Sequence, residues 1–255
     1  GSCKEIPLKD SSQIACETEA TTASWPKQKL YMFYYYTAFF LFACTAFGIV
    51  TSGTLTLYID SYIDRNVMGF EVPPTWFNSL DSIGFLIWVP IITLFYKKRS
   101  LKKKDESVSI PSRFSIGLFI HFIAFSLLTI TAYQNEFFHN NQINPIFIIA
   151  YFIISNAGWV MLDSGVLIAS SELVPQKKLG FYMGIHNLSM GLGFYLGSWL
   201  GILSVRYNAF YVFSSISLFL LFSSILTFAL KNSLERRQQH NSSGIVGGKH
   251  IISEI

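Results

Sequence analysis

The stretch "IFIIAYFIISNAGWVMLDSGVLIASSEL", Ile146 to Leu173, decides the fold class. From Ile146 to Ser171 its only charged residue is Asp163. A helix needs about 20 apolar residues to cross the hydrocarbon of a bilayer, and this run exceeds that. An ionised carboxylate at mid-membrane costs about 3 kcal/mol on insertion scales. Asp163 therefore needs a partner, a water-filled cavity or a proton.

Five more stretches of the same kind surround it: Leu30 to Leu57, Trp76 to Tyr96, Phe114 to Tyr133, Gly180 to Val205 and Ala209 to Leu230. Asp81 is the only other charge well inside any of them, and Glu172 sits at an edge. The chain of 255 residues is 51% hydrophobic and 13% charged, whereas about a quarter of a soluble domain is charged. The runs lack the alternation and the roughly 10-residue length of membrane barrel strands. These features predict an all-α membrane protein with six transmembrane helices over residues 30–230. A polar N-terminal segment, 1–29, precedes them, and a disordered tail, 231–255, follows. The chain opens on Gly1 and not Met, as either a fragment of a longer polypeptide or an expression scar would.

The basic residues set the expected orientation. Seventeen of the 19 Lys and Arg fall in residues 1–29, in the Lys97–Arg113 loop, at Lys177 and Lys178, or after Leu230. Arg65 and Arg206 alone lie on the other side. By the positive-inside rule both termini are cytoplasmic. The net charge of +4 thus reports topology and gives no reason to expect nucleic acid. The Lys97–Arg113 loop either attracts anionic lipid or is a solvated topogenic loop. Cys3, Cys16 and Cys44 have no metal-ligand spacing and read as free thiols. No paired metal motif, nucleophile elbow or phosphate-binding glycine loop is present, so no enzyme, metal or cofactor is expected.

Ser189, Gly193, Gly197 and Gly201 recur every four residues along the fifth span. Such a row lets another helix backbone approach closely, either within these six helices or from helices outside this chain.

The stretch "LTLYIDSYIDRNVMGFEVPPTWFNSLDSIGFLIWVP", Leu55 to Pro90, resembles the proton-dependent oligopeptide transporters. In that family helix seven leads through a polar loop to a Phe-Glu-hydrophobic-Pro signature and a Trp-Phe start of helix eight. Here those elements are Asp64, Arg65, Asn66, Phe70, Glu71, Pro73, Trp76, Phe77, Asn78, Ser79 and Asp81. "LVPQKKLGFYMGIHNLSMGLGFYLG", Leu173 to Gly197, is similar to the family's link from helix ten into helix eleven. The resemblance implies the C-terminal half, helices seven to twelve, of a major-facilitator-type transporter. It also implies a missing N-terminal six-helix half in the same or a separate chain, a lipid bilayer around both, and a small solute such as a di- or tripeptide between them. The coupling ion would be a proton, with no other cofactor. A degenerate, non-transporting remnant is the alternative.

The departures from the family pattern are specific. The helix-seven glutamate falls on Ile49 and the helix-ten glutamate on Trp159. The helix-eight asparagine falls on Asp81, and the helix-eleven tryptophan on His186. Counting outward from the turn at Val174 to Leu179, Asp163 and His186 differ in depth by about 6 Å at the helical rise. That offset allows them to meet. Asp163 and His186 then replace the lost coupling glutamates on a substrate and proton pathway with Asp81, Trp159 and Ile49. The plainer alternative has Asp163 bonded to Ser155, Ser164 or a buried water, and His186 to a carbonyl. His121, in the third span, reads as a packed histidine.

Overall fold

A computed structural model describes residues 27–51, 53–67, 69–102, 110–138 and 143–247. The segment before Lys27 with Cys3 and Cys16, the middle of the basic loop and the last eight residues lie outside that description. Helix α1 (Lys27–Thr51) is followed by the short α2 (Thr54–Tyr62), where the apolar run predicts one continuous helix. Gly53 lies between them at φ 84°. A residue with a Cβ enters that left-handed region at a cost of about 1–2 kcal/mol. Hydropathy alone does not register such a break, because the residues on both sides remain apolar.

After α2 the chain forms a small antiparallel hairpin, β1 (Asn66–Val67) with β2 (Phe70–Glu71), in which Asn66 opposes Glu71. Arg65 holds it from behind. Its Nη2 lies 3.0 Å from Asp60 Oδ1 and 2.8 Å from Glu71 Oε1, and its Nη1 donates to the Val72 carbonyl at 3.3 Å.

Helix α3 (Pro74–Lys102) opens on a proline, whose fixed φ suits a first helical turn, and contains Pro90. Then come α4 (Ile110–Phe138), α5 (Ile146–Leu173), a single 3₁₀ turn (Gln176–Lys178), α6 (Leu179–Tyr207) and α7 (Ala209–Gly247). The bounds of α5 coincide with the opening stretch. Five helices, α1, α3, α4, α5 and α7, are long and apolar enough to cross a membrane by length and composition. Glycines, serines, His186 and Asn187 dilute α6. It still has 29 residues, about 44 Å at the helical rise, and runs alongside α1.

Beyond Leu230 the tail expected to be disordered continues α7 as far as Gly247. Leaving the apolar run does not end a helix when the next residues are strong helix formers, and "LERRQQ" is such a sequence.

Helix α4 packs most extensively against α5 and α7, and α1 against α6; α3 leans chiefly on α5. Serines join α4 to α7: Ser115 Oγ donates to the Ser224 carbonyl and Ser224 Oγ to the Ser115 carbonyl, at 3.2 and 3.0 Å. Inside a bilayer, such hydrogen bonds and close backbone packing replace the hydrophobic drive between helices. Phe33, Tyr36, Phe40, Phe114, Phe125 and Tyr151 are fully buried at the centre. By contrast α3 is open along most of its length; Leu86 is 76% and Leu94 64% exposed.

Candidate functional site

Helices α1, α5 and α6 converge on the acid that opened the sequence reading. His186 Nε2 lies 3.8 Å from Asp163 Oδ1. That separation is too long for a hydrogen bond but within reach of an ion pair. The Asp163 side chain is 34% exposed and that of His186 only 5%. The imidazole lies beside Phe40, with ring centroids 4.7 Å apart, and its Nδ1 has no hydrogen-bond partner among the described residues. The polar alternatives for Asp163 are otherwise engaged. Ser155 Oγ lies 3.4 Å from His121 Nδ1, and Ser164 Oγ donates to the Met161 carbonyl. An acid beside an imidazole in a membrane span is the kind of pair from which proton relays are built.

Trp159, one turn before Asp163, belongs to an aromatic cluster. Its ring lies 4.8 Å from Phe47 and 6.0 Å from Phe194, both stacked, and 5.6 Å from Phe40. It therefore braces α5 against α1 and α6. Ile49 is fully buried in the core of this bundle. The fully buried His121 rests against Gly158, as a packed histidine should.

The α1–α6 contact that frames the pair depends on the glycine row. A Cβ at Gly193 would run into Cys44 Cβ and lie 2.7 Å from the Leu41 carbonyl oxygen; one at Gly197 would run into the Thr45 carbonyl oxygen and lie 2.7 Å from Gly48 Cα. For these two positions the seam is internal to the chain. Ser189 bonds back to the Ile185 carbonyl, and Gly201 is buried.

Asp81 has a partner that the sequence reading did not single out. Asn156 Nδ2 donates to Asp81 Oδ1 at 3.0 Å and to the Phe152 carbonyl at 2.9 Å. Gly84, one turn along α3 from Asp81, leaves the room: a Cβ there would sit 2.8 Å from Asn156 Nδ2. Asn156 and Asp163 are seven residues apart, two helical turns or about 10 Å on one face of α5. That spacing was the available signal. Asn156 and Asp163 thus present two polar points on one side of α5 at different depths, Asn156 meeting Asp81 of α3 and Asp163 meeting His186 of α6. Trp88 Nε1 also donates to the Ile153 carbonyl at 2.7 Å, fixing α3 on α5. Among the described residues no group of three or more His, Cys, Asp or Glu is placed to hold a metal.

A family model described as "PTR2: POT family" matches residues 6–229. "Dipeptide and tripeptide permease B" of Salmonella typhimurium is 24% identical over 148 residues, 57% of this chain and 29% of the permease. The protein of the same name from Shigella dysenteriae is 27% identical over the same shares. The "peptide transporter YePEPT" of Yersinia enterocolitica is 24% identical over 55% of this chain and 27% of its own length. Among solved structures, a peptide transporter POT in complex with sulfate superposes with a TM-score of 0.71 at 20% identity, covering 84% of this chain and 42% of the other. A POT family transporter in complex with 5-aminolevulinic acid gives 0.65 at 16% identity, covering 78% and 40%. The matched region is less than a third of the curated relatives and about two-fifths of the solved transporters, whose fold this bundle shares.

Proposed function

The chain belongs to the POT family, and from that premise we propose that it is one six-helix half of a proton-coupled transporter for di- or tripeptides or a related small solute. The other half is a second six-helix bundle, in the same or a separate polypeptide. The observation that carries the reading is the Asp163–His186 pair at 3.8 Å, at the meeting of α1, α5 and α6. Both expected glutamate positions are occupied by residues that cannot carry a proton, Ile49 and Trp159. The pair supplies a titratable acid and base in their neighbourhood, and we assign it the coupling role. Asp81, held by Asn156, is the second polar point on the same face of α5 and is assigned to solute contact.

The exposed apolar faces support a partner half. On α6, Leu188, Leu192, Tyr195 and Ile202 are each more than 40% exposed, and they recur at three-, four- and seven-residue steps. That is the stripe a neighbouring helix uses. Together with the open face of α3 it offers a seam on either side of the polar residues. The distribution of basic residues supports a cytoplasmic side for both ends of the chain.

The test is uptake by the assembled transporter in proteoliposomes, with an imposed pH gradient and a tripeptide panel. Asp163→Asn should abolish gradient-driven accumulation while leaving counterflow exchange at equal pH on the two sides. Uptake and pH dependence identical to the parent protein would remove the coupling role from Asp163. Absence of any peptide-dependent proton flux in the parent protein would instead favour the non-transporting alternative.

A further inference from the structure

Two hollows flank α6 and α7, one where α2 and α4 meet the turn that joins them and one where α1 meets both. The first lies at the bundle end opposite the Lys97–Arg113 loop. It measures about 340 Å³, and its lining includes Ser61, Asn135, Glu136, Arg206 and Asn208. The second, also about 340 Å³, is apolar and lined by Phe42, Ala46, Trp199, Leu200, Ile216 and Phe219. On α6 the apolar lining reaches Leu200 and the polar lining resumes at Ser204, one turn on. On α7 the order is reversed, from Ala209 to Ile216. Centre to centre this is about 12 Å at the helical rise.

The depth of the polar hollow matches the edge of the hydrocarbon. The apolar run of α4 ends at Tyr133 and that of α6 at Val205; Glu136 follows three residues on and Arg206 one residue on. Tyr207 and Tyr211, 75% and 65% exposed, stand at the same level, where aromatic residues favour the headgroup boundary. Neither Glu136 nor Arg206 makes an ion pair or side-chain hydrogen bond among the described residues. One cation and one anion therefore line a shared polar space, and the apolar groove begins one to two turns away along α6 and α7.

We propose that these two hollows together bind an amine-bearing phospholipid such as phosphatidylethanolamine. Its phosphate lies against the Arg206 guanidinium and its ammonium against the Glu136 carboxylate, while one acyl chain runs down the groove between α6 and α7. A lipid with an anionic headgroup and no amine satisfies only Arg206. A small free zwitterion satisfies both charges but leaves the groove empty. The assignment is independent of transport.

The experiment uses the full protein, purified in mild detergent from a membrane containing phosphatidylethanolamine and phosphatidylglycerol, with retained lipid quantified by mass spectrometry. The parent protein should retain phosphatidylethanolamine in excess of its share of the membrane. Arg206→Gln should lower that excess about tenfold, the effect of one hydrogen bond to a charged group. Ser215→Trp, which fills the groove from its exposed rim, should lower it without altering either charge. The double exchange Glu136→Arg with Arg206→Glu should restore part of it. Retention that mirrors the bulk membrane overturns the proposal, as does an excess unchanged in both Arg206→Gln and Ser215→Trp. Displacement of the lipid by free phosphoethanolamine, with Ser215→Trp without effect, assigns the polar hollow to a soluble zwitterion and overturns the lipid site.

Discussion

Replacing Gly197 by alanine adds one methyl group at the point where α1 and α6 touch. The new carbon would collide with the Thr45 carbonyl oxygen, and Gly48 Cα would stand only 2.7 Å from it. Ordinary carbon contacts lie at about 3.5–4.0 Å, so the helix axes must separate by about 1 Å. Both obstacles are backbone atoms, which no rotamer change can move aside. Overpacking of this kind costs about 1–3 kcal/mol, and the displacement would pull Phe194 away from Trp159 and Phe47. Gly191 provides the control on the same helix, because a Cβ there meets nothing within 4 Å. Gly191→Ala should be neutral or stabilising by up to about 1 kcal/mol, from helix propensity alone. Thermal unfolding in detergent, followed by intrinsic Trp fluorescence, separates the two. The expected outcome is a midpoint lowered by about 2–12 °C for Gly197→Ala and unchanged or raised for Gly191→Ala. If the two variants melt together, the close α1–α6 approach does not exist in the protein.

The remaining predictions concern the polar attachments. A double-mutant cycle on Asp81→Ala and Asn156→Ala should give a coupling of about 1–3 kcal/mol, as expected for a hydrogen bond to a charged group; additive effects would refute the bond. Trp88→Phe keeps an aromatic, though smaller, ring and removes the donor to Ile153, and should cost about 1 kcal/mol in the same melting assay, with no loss from Phe85→Leu on the exposed face. Arg65→Gln should open the hairpin to protease at residues 66–71 more than Glu71→Gln does. Arg65 holds two carboxylates and a carbonyl, while Glu71, 71% exposed, holds one partner worth about 1 kcal/mol or less. Equal cleavage of the two variants would show that Arg65 is not the clasp.

The membrane character and the bounds of α5 were legible in the sequence, because transfer into hydrocarbon depends on composition over a fixed length and needs no tertiary information. The same reasoning exposed Asp163 and Asp81, since a charge in such a run is costly wherever the helix packs. It also identified the glycine row as a seam. Several features depended on contacts between distant segments. The break at Gly53 is a backbone conformation within an unbroken apolar run. Which helix fills the glycine seam, that Ile49 faces inward, and that Trp159 packs into the Phe47–Phe194 cluster were all decided by how α1, α5 and α6 cross. Asn156 became a partner of Asp81 only because α3 approaches α5 at Gly84. Hydropathy sorts residues between water and lipid, and inside the bilayer it no longer distinguishes one apolar face from another. There the choice passes to close packing and the pairing of polar groups, which depend on tertiary structure.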